Sequence, residues 1–371
     1  MYTTSLTSDM YTQYGNGSLF NVGTPTAGLP NRNVTDFTQD AEGSNLAFTL
    51  PWAIVISIVL FFVCAATIFG NSLVIVSFLR DSSIRQKYDN WFIFNLSIAD
   101  FFVGCISLPL NSIWVVVGYW PFGKGACQFF LFTDYIVCYM SVVAMTCITL
   151  DRYWLVTMQL RYFRFQSLGR VSIMIGTSWA IVATFFSITV FKWTIWVDEG
   201  WVDYSQECEL EAIDSVVFNT ISFVIEFIIP FSIIVGCNLV IYINIRRRSR
   251  GQVSNAQVKY TSKNGVKPSN TRLLTKHRRA AKNLTILVAA FLICQLPFYI
   301  VSIISAICDD CVGNTIWEVV NYILWCNSTI NPLIYAITKP VFKSNFKELL
   351  CCCCRSYSTH ATSVQSSNHQ E

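Results

Sequence analysis

The sequence predicts an all-α membrane protein, a seven-transmembrane helix bundle closed by a short amphipathic eighth helix. Three observations predict it. Charged residues make up only 13% of the 371 residues while 53% are hydrophobic, against about 25% charged in soluble domains. Apolar stretches near the roughly 20 residues needed to cross a bilayer recur seven times, at 50–79, 88–117, 124–150, 171–195, 215–245, 280–306 and 314–338. Lys and Arg collect on alternate connections between them, as multi-pass proteins require.

Taken in order, residues 1–48 form a polar tail rich in Gly, Ser, Thr and Asn with no apolar leader, so the first span is expected to act as its own targeting element. The connections after the first, third and fifth spans carry Arg80, Arg85 and Lys87, then Arg152, Arg161, Arg164 and Arg170, then Arg246, Arg247, Arg248 and Arg250. The tail at 339–371 adds Lys339, Lys343 and Lys347. These basic segments share one side, which the positive-inside rule makes cytoplasmic. The opposite side holds the acidic run Asp198, Glu199, Asp203, Glu207, Glu209, Glu211 and Asp214. The N-terminus is then extracellular, and Asn16 and Asn33 become accessible N-glycosylation acceptors. The expected organisation is a tail at 1–48, a seven-span bundle at 49–338 and a cytoplasmic tail at 339–371, with 246–276 as a flexible basic loop. Localisation follows as multi-pass in the plasma membrane, in contact with lipid.

Composition also excludes function classes. The basic residues flank apolar spans rather than forming a phosphate-binding patch, so no nucleic acid is expected. The halves show no repeat and the span number is odd, which weighs against a secondary transporter. No nucleophile or metal-ligating His set accompanies the intramembrane acids, so no enzyme is expected.

Ionisable residues inside spans are costly and mark function by default. Four carry the argument: Asp100, Asp134, Asp151 and Glu226. Asp134 lies seven residues, or roughly 10 Å, beyond Cys127, and Cys138 and Ser141 continue its helical stripe. No Lys or Arg sits at its depth, so a cationic ligand would supply the missing partner. Tyr135, Phe298, Tyr299, Tyr322 and Trp325 offer an aromatic cage at similar depth, where ring faces attract an ammonium. A structural acid bonded to a neighbouring Tyr is the alternative. Glu226, four residues before Pro230, adds a second acid expected to face the same cavity. Asp100, Ser141, Asn327, Ser328 and Asn331 form a deeper polar set that suits a sodium ion, the one ion or cofactor expected, or else a water cluster. Pro109, Pro230, Pro297 and Pro332 permit kinks within spans.

Several motifs resemble the rhodopsin-like (class A) G-protein-coupled receptors. They are Gly70-Asn71-Ser72, Leu96-Ser97-Ile98-Ala99-Asp100, Asp151-Arg152-Tyr153, Trp179, Pro230, Pro297 and Asn331-Pro332-Leu333-Ile334-Tyr335, one per span and in order. The resemblance implies that Asp151, Arg152, Tyr153, Asn331, Pro332 and Tyr335 serve activation and coupling to a heterotrimeric G protein. It implies an extracellular disulfide between Cys127 and Cys208. A smaller loop closed by Cys308 and Cys311 is similar to that of some amine receptors. Cys351, Cys352, Cys353 and Cys354, after the amphipathic stretch 342–350, look like palmitoylation sites. No Lys occurs in 314–338, which excludes a retinal Schiff base.

Within the family, Asp134 matches the aspartate of aminergic receptors, with Asp134, Tyr135, Cys138, Glu226, Phe298, Tyr299, Tyr322 and Trp325 as the implied ligand set. The stretches at 134–138 and 226–230 resemble the third and fourth types of histamine receptor. The stretch at 327–332 is closer to muscarinic acetylcholine receptors. Histamine therefore leads among biogenic amines, with acetylcholine or another monoamine such as serotonin as alternatives. Two positions depart from the family. Gln295 replaces its Trp, and His277 stands where many amine receptors carry an acid facing Arg152. Arg152 is then expected to keep only Asp151 as a partner and to permit ligand-free signalling.

Overall fold

The computed structural model describes residues 50–193, 202–260, 269–308 and 311–351, without the side chains of 159, 214, 248–260, 269–284, 287, 306 and 314. Helix α1 is Leu50–Arg80. Helix α2 runs over Tyr88–Val117, α3 over Gly123–Met158 and α4 over Leu168–Lys192. Helix α5 is continuous through Val216–Ser222, Phe223–Ile228 and Ile229–Tyr260. Then come α6 (Ser269–Ile307), α7 (Asn314–Thr338) and α8 (Pro340–Leu350). The glycosylation acceptors Asn16 and Asn33, and Cys352, Cys353 and Cys354, lie outside the described residues.

Helices are the physically required solution here, because backbone N–H and C=O groups in hydrocarbon must be satisfied within their own segment. Consecutive helices pack as neighbours from α1 to α4. Helix α3 also packs on α5, α5 on α6, α6 on α7, and α7 returns to α1, so the bundle closes with α3 in its middle. The outer surface is apolar, with Trp52, Phe61, Phe62, Ile173, Ile181, Leu239 and Ile293 all exposed.

One span is less apolar than the other six, and one expectation needs correction. Among the described residues six helices, α1 to α6, are long and apolar enough to cross a membrane. Helix α7 has the length, at 25 residues, but not the apolar composition. Its polar residues Asn327, Ser328 and Asn331 are buried inside the bundle, where hydropathy counting penalises them and the fold does not. The basic loop expected at 246–276 is also mostly helical: α5 continues to Tyr260 and α6 starts at Ser269. Arg, Gln, Ala and Lys propagate a helix well, and no Pro lies between Pro230 and Pro268 to stop it.

The prolines shape the helices locally. Pro109 and Pro230 each lack the N–H that would bond the carbonyl four residues earlier. Next to each, the helix widens into a π-type segment, Val103–Ser107 in α2 and Phe223–Ile228 in α5. Such bulges re-aim side chains, here Ser107 and Glu226. In α7, Pro332 leaves the Ser328 carbonyl without a helical donor, and Asn71 Nδ2 of α1 fills the gap at 3.1 Å. The two helices approach closely because residue 70 is Gly, whose added Cβ would meet Pro332 Cγ at 3.0 Å.

Specific polar contacts join the helices. Trp179 Nε1 donates to Asn95 Oδ1 at 2.7 Å, joining α4 to α2. Thr67 and Thr329 hydroxyls meet at 2.6 Å, joining α1 to α7. Such bonds are worth only about 0.6 kcal/mol each on average inside a membrane. Close side-chain packing therefore carries the association, and the hydrogen bonds set register.

Candidate ligand cavity and coupling face

At the end of the bundle where α3 begins, Cys127 is joined to Cys208, with Cα atoms 5.5 Å apart. The bond pins the connection between α4 and α5 onto α3, assisted by the Trp120 N–H donating to the Gln206 carbonyl at 2.7 Å. Buried Trp120, Phe130, Leu131, Val190 and Leu210 pack around it. Cys308 and Cys311 are also joined, with Cα atoms 5.4 Å apart.

Two turns further along α3 sits Asp134, half-buried where α3 faces α7. Trp325 Nε1 donates to its Oδ1 at 2.9 Å, and Cys138 Sγ approaches the same oxygen at 3.6 Å. Ser107, aimed by the π segment of α2, lies beside it. Both donors, and Ser107 beside them, are neutral. Among the described residues the Lys and Arg ion pairs are both made with Asp89, so no cation offsets the Asp134 charge.

The predicted aromatic cage divides into two groups. Tyr322 and Trp325 stay on the α7 side, ring centroids 5.4 Å apart. The Tyr322 hydroxyl turns away from Asp134 toward Asn111 Nδ2 and Ser112 Oγ of α2, at 3.4 and 3.3 Å. Tyr135, Phe298 and Tyr299 instead line a cavity with Glu226, closed by Phe218, Asn219, Ser222 and Phe223. Tyr135 connects the two groups, adjoining Asp134 in sequence and lying within electrostatic range of Asp134, Glu226 and Glu209. Glu226 and Tyr135, the residue next to Asp134, thus share one cavity wall. Gln295 is buried in α6, at 3% exposure.

Sequence reasoning overlooked Glu318, a further acid within a span. It accepts from Asn111 Nδ2 at 3.0 Å. The signal was present: Glu318, Tyr322 and Trp325 follow the i, i+4, i+7 spacing of one helix face.

Below this level, Asp100 is fully buried. It accepts from Ser141 Oγ at 3.2 Å, Ser328 Oγ at 2.8 Å and Asn331 Nδ2 at 2.9 Å. Asn327 is buried nearby on α7 but is not among these donors. Pro332 and Tyr335 are also buried, and Tyr335 packs on Phe342 of α8, centroids 6.2 Å apart. Helix α8 holds its amphipathic face down through Phe342 and Phe346, leaving Cys351 exposed at its end.

At the far end of α3, the expected pairing of Arg152 with Asp151 is not what forms. Asp151 Oδ1 is taken by Tyr162 Oη at 2.8 Å and Gln166 Nε2 at 2.7 Å, both from the turn after α3. Arg152 pairs with Asp89 of α2 instead. Asp89 was missed because an acid in the first turn of a span reads as solvent-exposed, whereas the fold buries it to 7% exposure. Tyr153 is half-buried beside them, and the His277 side chain lies outside the described residues.

Residues 70–335 match the family described as 7 transmembrane receptor (rhodopsin family). The chain belongs to that family. The receptor is similar to the 5-hydroxytryptamine receptor 1B of Homo sapiens, 25% identical over 348 residues covering 82% of this chain and 88% of that protein. The Mus musculus counterpart is 26% identical over 349 residues, covering 82% and 89%. That of Didelphis virginiana is 25% identical over 378 residues, covering 90% and 95%. The receptor is therefore a multi-pass membrane protein of the rhodopsin-like class.

Proposed function

We propose that the receptor binds a small cationic amine at Asp134 and relays that binding to a heterotrimeric G protein at the Arg152 end. The observation that carries this reading is the Asp134 carboxylate, held inside the bundle by neutral donors only. An inward carboxylate without a cation is costly, and an ammonium ligand removes that cost with a charge-assisted bond. Tyr135, Trp325 and Tyr322 would present ring faces to the same ammonium. Similarity to 5-hydroxytryptamine receptors supports the amine class.

The choice of amine turns on Glu226. Its place with Tyr135 on one cavity wall favours a ligand with a second polar end, and histamine offers an imidazole that a carboxylate can bind. Serotonin is the second reading, favoured by the relatives' names, and its indole and hydroxyl groups are also donors. The deciding experiment is an amine panel on transfected cells, with cAMP and calcium recorded together. If Asp134→Ala leaves every amine response intact, the amine reading fails. If Glu226→Gln leaves histamine potency unchanged while serotonin remains active, serotonin replaces histamine.

The orientation follows the Lys and Arg distribution, with the Arg152 end cytoplasmic and the Cys127 end outside. We also propose sodium as an allosteric ion at Asp100. The carboxylate and the Ser141 and Ser328 hydroxyl oxygens make a hard donor set that fits such an ion. Replacing sodium by potassium should raise agonist affinity in wild type and not in Asp100→Asn. Palmitoylation of Cys351 and its three neighbours, and glycosylation at Asn16 and Asn33, complete the reading.

A further inference from the structure

Asp89 is the meeting point of three helices. It sits in the first turn of α2 and is buried. Arg152 Nη2 from the end of α3 and Lys339 Nζ from the junction of α7 and α8 converge on the same oxygen, Oδ2, with Lys339 at 2.7 Å. Lys339 Nζ also donates to Asn90 Oδ1 at 3.0 Å. The alternative acid for Arg152, Asp151, is turned away toward Tyr162 and Gln166.

We propose that Asp89 is a positioning residue for Arg152, a latch that holds the coupling arginine against α2, with Lys339 as a competing second cation. This rests on the coupling role given to Arg152 above. The physical reason lies in what happens on release. A single buried ion pair resists opening, because departure of one partner leaves an uncompensated charge. Here Asp89 keeps Lys339 when Arg152 leaves, so its carboxylate is never bare. Two cations on one oxygen also repel each other, so Lys339 weakens the hold on Arg152 while it lowers the penalty for letting go. The latch is thereby reversible, and its strength is set by the second cation. Lys339 stands one residue beyond α7, so movement at the Tyr335 end of α7 reaches Asp89 directly.

The two residues should therefore act with opposite sign, which a merely structural role would not produce. Purified full-length receptor is tested by hydrogen–deuterium exchange over 150–158, and in membranes by ligand-free nucleotide exchange on G protein, normalised to surface receptor. Asp89→Asn should speed exchange and raise basal coupling by about fivefold, within the usual span of coupling factors. Asp89→Glu should restore both toward wild type. Lys339→Gln should slow exchange over 150–158 and lower basal coupling. Unchanged exchange over 150–158 in Asp89→Asn, or faster exchange in Lys339→Gln, overturns the proposal. Should Asp89→Asn not reach the surface, the sign of the Lys339→Gln effect decides. If exchange moves as stated while no variant, nor wild type against Arg152→Ala, changes nucleotide exchange, the latch stands and the coupling reading fails.

Discussion

The indole N–H of Trp325 and the carboxylate of Asp134, 191 residues apart in sequence, meet at 2.9 Å between α7 and α3. The contact holds one carboxylate oxygen in a set direction and leaves charge available for a ligand. Replacing Trp325 by Phe keeps most of the ring and removes the donor. The carboxylate must then be ordered on binding, at about 0.5–1.5 kcal/mol. Agonist affinity should fall roughly three- to tenfold in competition binding, whereas Asp134→Asn, which deletes the charge, should cost about a hundredfold or more. Equal effects of the two variants would refute this division of roles.

Glu226 is brought to its cavity by the π segment ahead of Pro230. Pro230→Ala restores the missing N–H and should let that segment relax toward a regular helix. Glu226 then rotates away from Tyr299 and Phe298. The expected result is a loss of potency resembling that of Glu226→Gln, with little change in receptor abundance. Additive losses in the double variant would show that the proline acts elsewhere.

Gly70 faces Pro332 with room for a hydrogen and little more. Gly70→Val should push α1 from α7 and strain the Asn71 to Ser328 bond, a destabilisation of about 1–3 kcal/mol from overpacking. Thermal unfolding in detergent should show a lower midpoint with ligand binding per folded receptor retained.

Cys208→Ser opens a link between residues 81 apart in sequence, for which chain-entropy arguments give about 4 kcal/mol. Folded receptor at the surface should drop sharply, and the remainder should bind ligand weakly, because the connection over the cavity is no longer pinned.

Asp81, in the connection between α1 and α2, receives Asn345 Nδ2 of α8 at 2.8 Å and the Ser83 N–H at 2.8 Å. The Asn345 amide first, and Ser83 next, hold its carboxyl below the ordinary value. A depressed folded value stabilises above the unfolded pKa and loses that stabilisation as pH falls through the folded one. The stability gap between wild type and Asn345→Ala should therefore be full at neutral pH and shrink between roughly pH 5 and 3. The gap will be small because Asp81 is well solvated. A gap that grows on acidification would contradict the sign.

Much of this receptor was legible in one dimension. Span number and order, and the cost of placing Asp134, Glu226 and Asp100 in lipid, are local properties of a chain, and the motif at Asp151–Tyr153 was legible as a family resemblance. What required the tertiary structure was partnership. Asp134 is met by Trp325 rather than by a Tyr. The aromatic set divides around Tyr135, and α7 hides polar residues that its composition alone would place near water. Arg152 passes over its neighbour Asp151 for Asp89, 63 positions earlier in the chain. The reason is geometric: helix periodicity tells which residues share a face, but only packing decides which faces meet and which buried charge finds another.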